Sequence, residues 1–163
     1  MKILVTYYSR TGNTRKVAEA ISETIGEDSE FKKIEDVTSF ENYDLIFIGF
    51  PVYQFGVPRD VKKILNGLNR KKVACFITHA MPENAPLFGK QIDNCKSALA
   101  GNEVIEIFSC QGELSEKTAM QMANSENESM RTFAKMRKNT LNHPDKSDLD
   151  NSRQFARFVI ESL

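Results

Sequence analysis

Four short hydrophobic runs stand out along the chain, at residues 2–7, 44–50, 72–78 and 103–110. Each run is nearly continuous in Ile, Val, Leu or Phe instead of alternating with polar residues. Such runs are typical of strands that are covered on both faces, as in a parallel sheet. A more polar run at residues 30–35 suits a strand at the edge of that sheet.

Hydrophobic residues at helical spacing occupy the intervals between these runs. The segments 14–25, 58–68, 85–99 and 149–163 each place apolar side chains three or four positions apart. The alternation predicts an α/β fold, a three-layer sandwich with a five-stranded, doubly wound parallel sheet in the order 2-1-3-4-5. In sheets of this kind a ligand binds outside the carboxyl ends of the strands, beside the first strand.

The segment 111–148 does not fit this minimal pattern. It is too long for a plain connection between the last strand and the last helix. A helical pattern at residues 116–138, interrupted near residues 125–129, predicts that the segment has structure of its own. We therefore expect an insertion within one domain that covers residues 1–163.

Charge and cysteine content narrow the range of partners and compartments. The 163 residues include 22 Lys and Arg and 22 Asp and Glu, so no net field attracts nucleic acid or an anionic membrane. The three cysteines, Cys75, Cys95 and Cys110, form no C-x-x-C pair and no metal-ligand spacing, which predicts free thiols and no metal site. The chain shows neither a leader pattern nor an apolar stretch of about 20 residues, so we expect a cytoplasmic protein without a membrane span.

The loop after the first strand carries the strongest chemical signal. It leads directly into a helix and consists of Ser9, Arg10, Thr11, Gly12, Asn13 and Thr14. Hydroxyl groups, a flexible glycine and the backbone N–H groups of a helix start suit a phosphate group. The lysine of a nucleoside triphosphate loop and the G-x-G-x-x-G of a dinucleotide-binding domain are both absent. Taken alone, the same residues also fit a simple helix-capping loop.

Two further loops are expected at the same edge of the sheet. The loop after the third strand consists of Pro51, Val52, Tyr53, Gln54, Phe55 and Gly56. The loop after the fourth strand begins with Thr78, His79 and Ala80. Aromatic side chains at the rim of a sheet indicate a binding surface, although Tyr53 and Phe55 also fit a cap over the sheet end. His79 either borders the ligand or faces solvent.

The first loop has the form [ST]-x-T-G-x-T and resembles the phosphate loop of the flavodoxin family. The resemblance implies FMN as the cofactor, with its phosphate held by the loop amides and by Ser9, Thr11, Asn13 and Thr14. It also implies that Tyr53 stacks on the isoalloxazine ring and that residues 78–80 contact the pyrimidine edge of the ring. The tyrosine that stacks from this second loop in short-chain flavodoxins is missing, so one of three apolar side chains would take that face: Met81, Leu87 or Phe88.

Two functions follow from this resemblance. The preferred one is an electron carrier that docks on two protein redox partners, a reductase and an acceptor enzyme. The alternative is an FMN-dependent NAD(P)H:quinone-type oxidoreductase, which is favoured by the similarity of residues 51–56 to the corresponding loop of those enzymes and by the neutral net charge. No side chain is identified as catalytic. In this family, a glycine with a positive φ usually follows the stacking aromatic and supports one-electron steps. Gln54 stands at that position here. A positive φ costs a non-glycine residue on the order of 1 kcal/mol, which counts against one-electron steps.

Overall fold

The computed structural model describes all 163 residues and contains one parallel sheet with helices on both faces. The strands are β1 (Ile3–Tyr7), β2 (Ser29–Lys33), β3 (Leu45–Pro51), β4 (Lys72–His79) and β5 (Glu103–Gln111). All neighbouring strands pair in parallel, and their order is β2-β1-β3-β4-β5. The predicted fold class and strand order are confirmed.

Six α-helices accompany the sheet. They are α1 (Asn13–Ile25), α2 (Arg59–Leu65), α3 (Phe88–Ser97), α4 (Glu116–Ala123), α5 (Glu128–Ala134) and α6 (Lys146–Glu161). Short 3-10 turns occupy Gly26–Asp28, Ile34–Asp36 and Lys135–Asn139. None of the helices combines the length and the hydropathy needed to cross a bilayer.

The hydrophobic runs are continuous because each face of the sheet has its own core. One core contains 15 buried residues and joins the sheet to α2 and α3. The other contains 14 buried residues and joins the opposite face to α1 and α6. Successive strand residues point to opposite faces, so Leu4 enters the first core while Ile3 and Val5 enter the second.

The edge strand β2 is polar where the central strands are apolar. Its Glu30 accepts hydrogen bonds from Lys32 and Tyr43 and pairs with Lys2. These partners, with Lys32 contributing most, lower the pKa of Glu30 to about 2. Charged side chains along an exposed edge discourage pairing with a strand of another molecule.

The segment between β5 and α6 folds into α4, α5 and the 3-10 turn. The predicted helical pattern over 116–138 is therefore present, and its break lies between Ala123 and Glu128. Met120 is 60% exposed and Met130 is 39% exposed. Buried Thr140 fastens the end of the segment, because its hydroxyl accepts from the Leu114 amide and donates to the Arg137 carbonyl.

The closing helix begins earlier than the hydrophobic spacing predicts. The side chain of Asp145 accepts from the Asp148 amide, and the side chain of Asp148 accepts from the Asp145 amide, which forms a capping box. His143 Nδ1 also lies 2.6 Å from Asp148 Oδ2. This His143–Asp145–Asp148 cluster is thus accounted for by the start of α6.

All three cysteines are free, as predicted, and all three are buried. Burial raises the pKa of the Cys95 thiol to about 12. It also raises the pKa of Cys75 and of Cys110 well above the usual range. The three thiols are therefore protonated at neutral pH.

We expect Gly49→Ala to destabilise the fold by about 2 kcal/mol or more, because a Cβ at this position would lie 1.9 Å from the ring of Phe76 on the neighbouring strand. Gly89 in α3 is the matched control, since a Cβ there meets nothing within 4 Å. Gly89→Ala should stabilise by about 0.5–1 kcal/mol. Urea unfolding of both variants checks this, and equal stability of the two would contradict the close approach.

Candidate functional site

The loop between β1 and α1 presents the amino end of a helix at the carboxyl edge of the sheet. The Tyr8 amide donates to the Gly49 carbonyl of β3 at 2.9 Å, and the Gly12 amide donates to Ser9 Oγ at 3.1 Å. Gly12 has a φ of +94°, a value that favours glycine. No side chain caps α1, and its first turn holds no acidic residue. The N–H groups and the positive end of the helix dipole are therefore suited to an anion.

Two buried hydroxyls join this loop to the end of β4. Thr14 Oγ1 lies 2.8 Å from Thr78 Oγ1, and the two residues are 1% and 2% exposed. A hydroxyl carries one donor and two acceptor positions, so each retains capacity for a further bond. Thr11, in contrast, is exposed. Thr14 thus holds the loop in place, and its direct contact with a phosphate stays a prediction.

Asn13 connects the same loop to the segment after β5. Its Nδ2 donates to the Glu113 carbonyl at 2.9 Å, and a Cβ on Gly112 would lie 2.7 Å from that nitrogen. The Gly112 amide donates to the His79 carbonyl at 2.9 Å. Gly112 packs directly against the first loop. In the sequence, the only sign of this contact is its position at the end of a strand.

The loop after β3 closes into a tight two-residue hairpin. The amide and carbonyl of Tyr53 bond the carbonyl and amide of Gly56 at 2.9 and 3.0 Å. Both central residues, Gln54 and Phe55, have positive φ values of 48° and 63°, as a type I′ turn requires. Asn94 Nδ2 donates to the Phe55 carbonyl at 2.8 Å, which helps to hold this costly conformation. Gln54 therefore adopts the positive φ that the sequence analysis expects to be unfavourable for a non-glycine residue.

The two predicted rim aromatics differ in exposure. Tyr53 is half-buried, and Phe55 is 44% exposed. The Arg10 guanidinium lies over the Tyr53 ring, 5.2 Å from its centroid, in a cation–π contact between the first and second loops. Burial raises the pKa of Tyr53, while the charge of Arg10 opposes this rise. Arg10 thus brings a positive charge to the aromatic part of the site.

The loop after β4 completes the cluster. The Val52 amide donates to the Thr78 carbonyl at 2.8 Å, which ties the second loop to the third, and Gln111 Nε2 donates to the Ala80 carbonyl at 3.3 Å. Of the three apolar candidates for the second ring face, Met81 is buried, Phe88 is half-buried and Leu87 is 48% exposed.

His79 does not face solvent, so that alternative is wrong. The residue is 3% exposed, its Nδ1 lies 2.7 Å from the Met81 carbonyl oxygen, and Phe88 meets its ring edge-on at 4.9 Å. Burial lowers the pKa of His79 below its usual value. Its Nε2 is buried and has no hydrogen-bond partner within the chain. An orphaned polar atom of this kind is rare in a folded protein.

The predicted residues of all three loops therefore meet at the carboxyl edge of β1, β3 and β4. They combine a helix start suited to a dianion with a half-buried aromatic side chain, a buried histidine and one exposed cation. This arrangement, at the sheet edge where α/β proteins bind ligands, suits a phosphorylated, flat aromatic ligand.

The chain belongs to the flavodoxin domain family, whose model matches residues 4–157. It is 29% identical over 170 residues to the flavodoxin-like domain-containing protein BilS of Clostridioides difficile, with 98% of this chain and 97% of that protein covered.

Solved structures of flavodoxins and flavoproteins share the fold of this chain. The structure of the oxidised flavodoxin 2 of Bacillus cereus aligns over 100% of both chains, with 20% sequence identity and a TM-score of 0.66. A flavoprotein from Lactobacillus acidophilus, solved in complex with FMN, is 26% identical and has a TM-score of 0.54. That alignment covers 66% of this chain and 92% of the flavoprotein.

The lowered pKa of His79 predicts a specific pH dependence of stability. Below about pH 6.5 the unfolded chain binds a proton at this ring more readily than the folded protein does, so stability falls as pH falls. Between about pH 7.5 and 5.5, we expect the wild type to lose more stability than His79→Gln. Urea unfolding at a series of pH values checks this. Parallel curves for the two proteins would show that His79 is not held neutral.

Proposed function

We propose that this chain binds one FMN at the three loops and carries electrons between a reductase and an acceptor protein. The observation that carries the proposal is the uncapped start of α1, fixed beside the Tyr53 hairpin by the Thr14–Thr78 and Val52–Thr78 hydrogen bonds. FMN is supported as the cofactor by the family membership and by the FMN complex of a similar flavoprotein.

The phosphate of FMN is assigned to the first loop. The exposed hydroxyl of Thr11 and the amides of Thr11, Asn13 and Thr14 supply its donors, together with the partial positive charge of the helix start. Ser9 accepts from the Gly12 amide and so shapes the loop. Asn13 is occupied by the Glu113 carbonyl and holds the loop against the segment after β5.

The aromatic ring of FMN is assigned to the edge between Tyr53 and residues 78–80. FMN supplies the electron-transfer chemistry when it is bound, whereas the protein supplies position and charge. The half-buried Tyr53 offers a flat apolar surface, and the fixed hairpin keeps that surface in place. Arg10 adds a positive charge that favours electron uptake by a neighbouring group.

The carrier role is favoured by the openness of this edge. Phe55 and Leu87 are 44% and 48% exposed on two loops of the site. Exposed apolar groups around a cofactor edge suit brief contacts with protein partners. The three free, buried cysteines suit a reducing compartment such as the cytoplasm.

A quinone-type oxidoreductase is the second candidate, and the positive charge of Arg10 and the neutral net charge favour it. An enzyme of this kind needs a proton donor or acceptor near the ring. His79 is the titratable side chain of these loops that is buried, and its unpartnered Nε2 is the atom that would serve.

We expect Thr11→Ala to weaken FMN binding about tenfold or more, because a hydrogen bond to a charged phosphate is lost. Its affinity for riboflavin, which has no phosphate, should not change. Thr38→Ala, at an exposed threonine away from the three loops, is the control. Flavin fluorescence titrations measure all of these affinities. An equal loss of affinity for FMN and for riboflavin would show that Thr11 does not contact the phosphate.

Stepwise anaerobic reduction of the FMN-loaded protein by dithionite separates the two functions. For a carrier, we expect a long-wavelength absorbance band that rises and then falls near half reduction. Such a band indicates one-electron steps, and Gln54 already has the positive φ that supports them. We also expect no reduction by NAD(P)H alone within minutes. Direct bleaching by NAD(P)H, followed by reoxidation with a quinone, would establish the oxidoreductase instead.

A further inference from the structure

The contact between Arg10 and Tyr53 joins a formal charge to an aromatic ring across two loops. The guanidinium carbon of Arg10 lies 5.2 Å from the centroid of the Tyr53 ring, within the range of a cation–π interaction. Arg10 is exposed at the surface of the first loop, whereas Tyr53 is half-buried. The first loop therefore supplies both the helix start suited to a phosphate and a cation for the aromatic side chain of the second loop.

Both residues of this contact stand on a fixed backbone. Arg10 lies inside the turn that the Gly12 amide closes by donating to Ser9 Oγ at 3.1 Å. Tyr53 is held by its two backbone hydrogen bonds to Gly56, at 2.9 and 3.0 Å. The two side chains are therefore kept within reach of each other.

The charge of Arg10 has no counterion. Arg10 forms no ion pair, whereas Arg15 in the first turn of α1 is paired with Glu19 at 2.7 Å. Within residues 9–14, 51–56 and 78–84, the other side chains that can carry charge are His79 and Glu83. Burial lowers the pKa of His79 and so favours its neutral form, and Glu83 is exposed. Arg10 is thus the uncompensated cation of the site.

An uncompensated cation acts on a neighbouring group in proportion to the charge of that group. Tyr53 already shows this effect, since burial raises its pKa while the charge of Arg10 opposes the rise. A flavin ring is uncharged when oxidised, and uptake of two electrons and one proton leaves it with one negative charge. The attraction to a nearby guanidinium therefore arises only when the ring is reduced. The charge of the flavin phosphate does not change in this step.

We propose that Arg10 makes the site discriminate between the oxidation states of the flavin, so that reduced FMN is bound more tightly relative to oxidised FMN than it would be without this charge. The inference rests on the proposed binding of FMN. It assigns to Arg10 an effect on the ring through Tyr53, separate from the binding of the phosphate by the rest of the first loop.

Arg10→Gln removes the charge and tests the inference. Fluorescence titration gives the affinity for oxidised FMN, and the midpoint potentials of bound and free FMN, measured during reduction by dithionite with a redox dye, give the ratio of reduced to oxidised affinity. We expect this ratio to fall about fivefold, which equals about 20 mV for a two-electron couple. The affinity for oxidised FMN should change by less than about twofold, because the oxidised ring carries no charge.

Two further variants serve as controls. Arg10→Lys keeps the charge and should keep most of the ratio. Arg157→Gln removes an equally exposed and unpaired charge beside Met1 and Ile3, at the amino end of β1, and should leave the ratio unchanged. A ratio that falls equally in Arg157→Gln would show an effect of net charge alone and overturn the inference.

Riboflavin, which lacks the phosphate, separates the ring from the phosphate. The fivefold fall in Arg10→Gln should persist with riboflavin. Equal weakening of oxidised and reduced FMN in Arg10→Gln, or a fall seen with FMN and not with riboflavin, would place the effect of Arg10 at the phosphate and overturn the inference. An unchanged ratio overturns only the role of Arg10, whereas a wild type that binds no flavin overturns the proposed function with it.

Discussion

The site depends on one buried hydrogen bond, between the hydroxyls of Thr14 and Thr78. It joins the first turn of α1 to the carboxyl end of β4. The Thr78 carbonyl also accepts a hydrogen bond from the Val52 amide of the hairpin loop. Three loops that are distant in sequence are thereby held at one edge. Removing one hydroxyl would leave the other unpaired in the interior, which costs about 1–3 kcal/mol. The loops are therefore positioned by the interior of the fold and not by their own flexible residues.

The chemistry of the edge follows from how differently these loops are held. The first loop leaves the start of α1 without a side-chain cap. The second is held in a conformation that is unfavourable for Gln54 and Phe55, and it is retained by two backbone hydrogen bonds and by Asn94. Strain of this kind concentrates at binding sites, where surrounding contacts enforce it. A rigid, partly apolar edge with one cation suits a cofactor that changes its charge while its position stays fixed.

Most of the architecture is readable from the sequence because the relevant signals are local. Hydrophobic runs predict the strands, helical spacing predicts the helices, and their alternation predicts the strand order. The helix α6 begins earlier than hydrophobic spacing predicts, because the signal for its start is the Asp145–Asp148 capping box. The burial of His79 and the packing of Gly112 on Asn13 arise from contacts between distant segments. Such contacts leave no local pattern, so the sequence predicts which loops form the site better than it predicts the contacts between them.

The protonated, buried thiols have a consequence for oxidative damage. Peroxide attacks thiolates far faster than thiols, and it must first reach the sulfur. Cys75, Cys95 and Cys110 meet neither condition. The exposed thioethers are the vulnerable sulfur atoms instead, at Met1 and, on the helices that follow β5, at Met120 and Met130. Damage would therefore begin at the first residue and on the helix pair α4–α5, as a polar sulfoxide that methionine sulfoxide reductases can reverse, while the sheet and its loops remain intact.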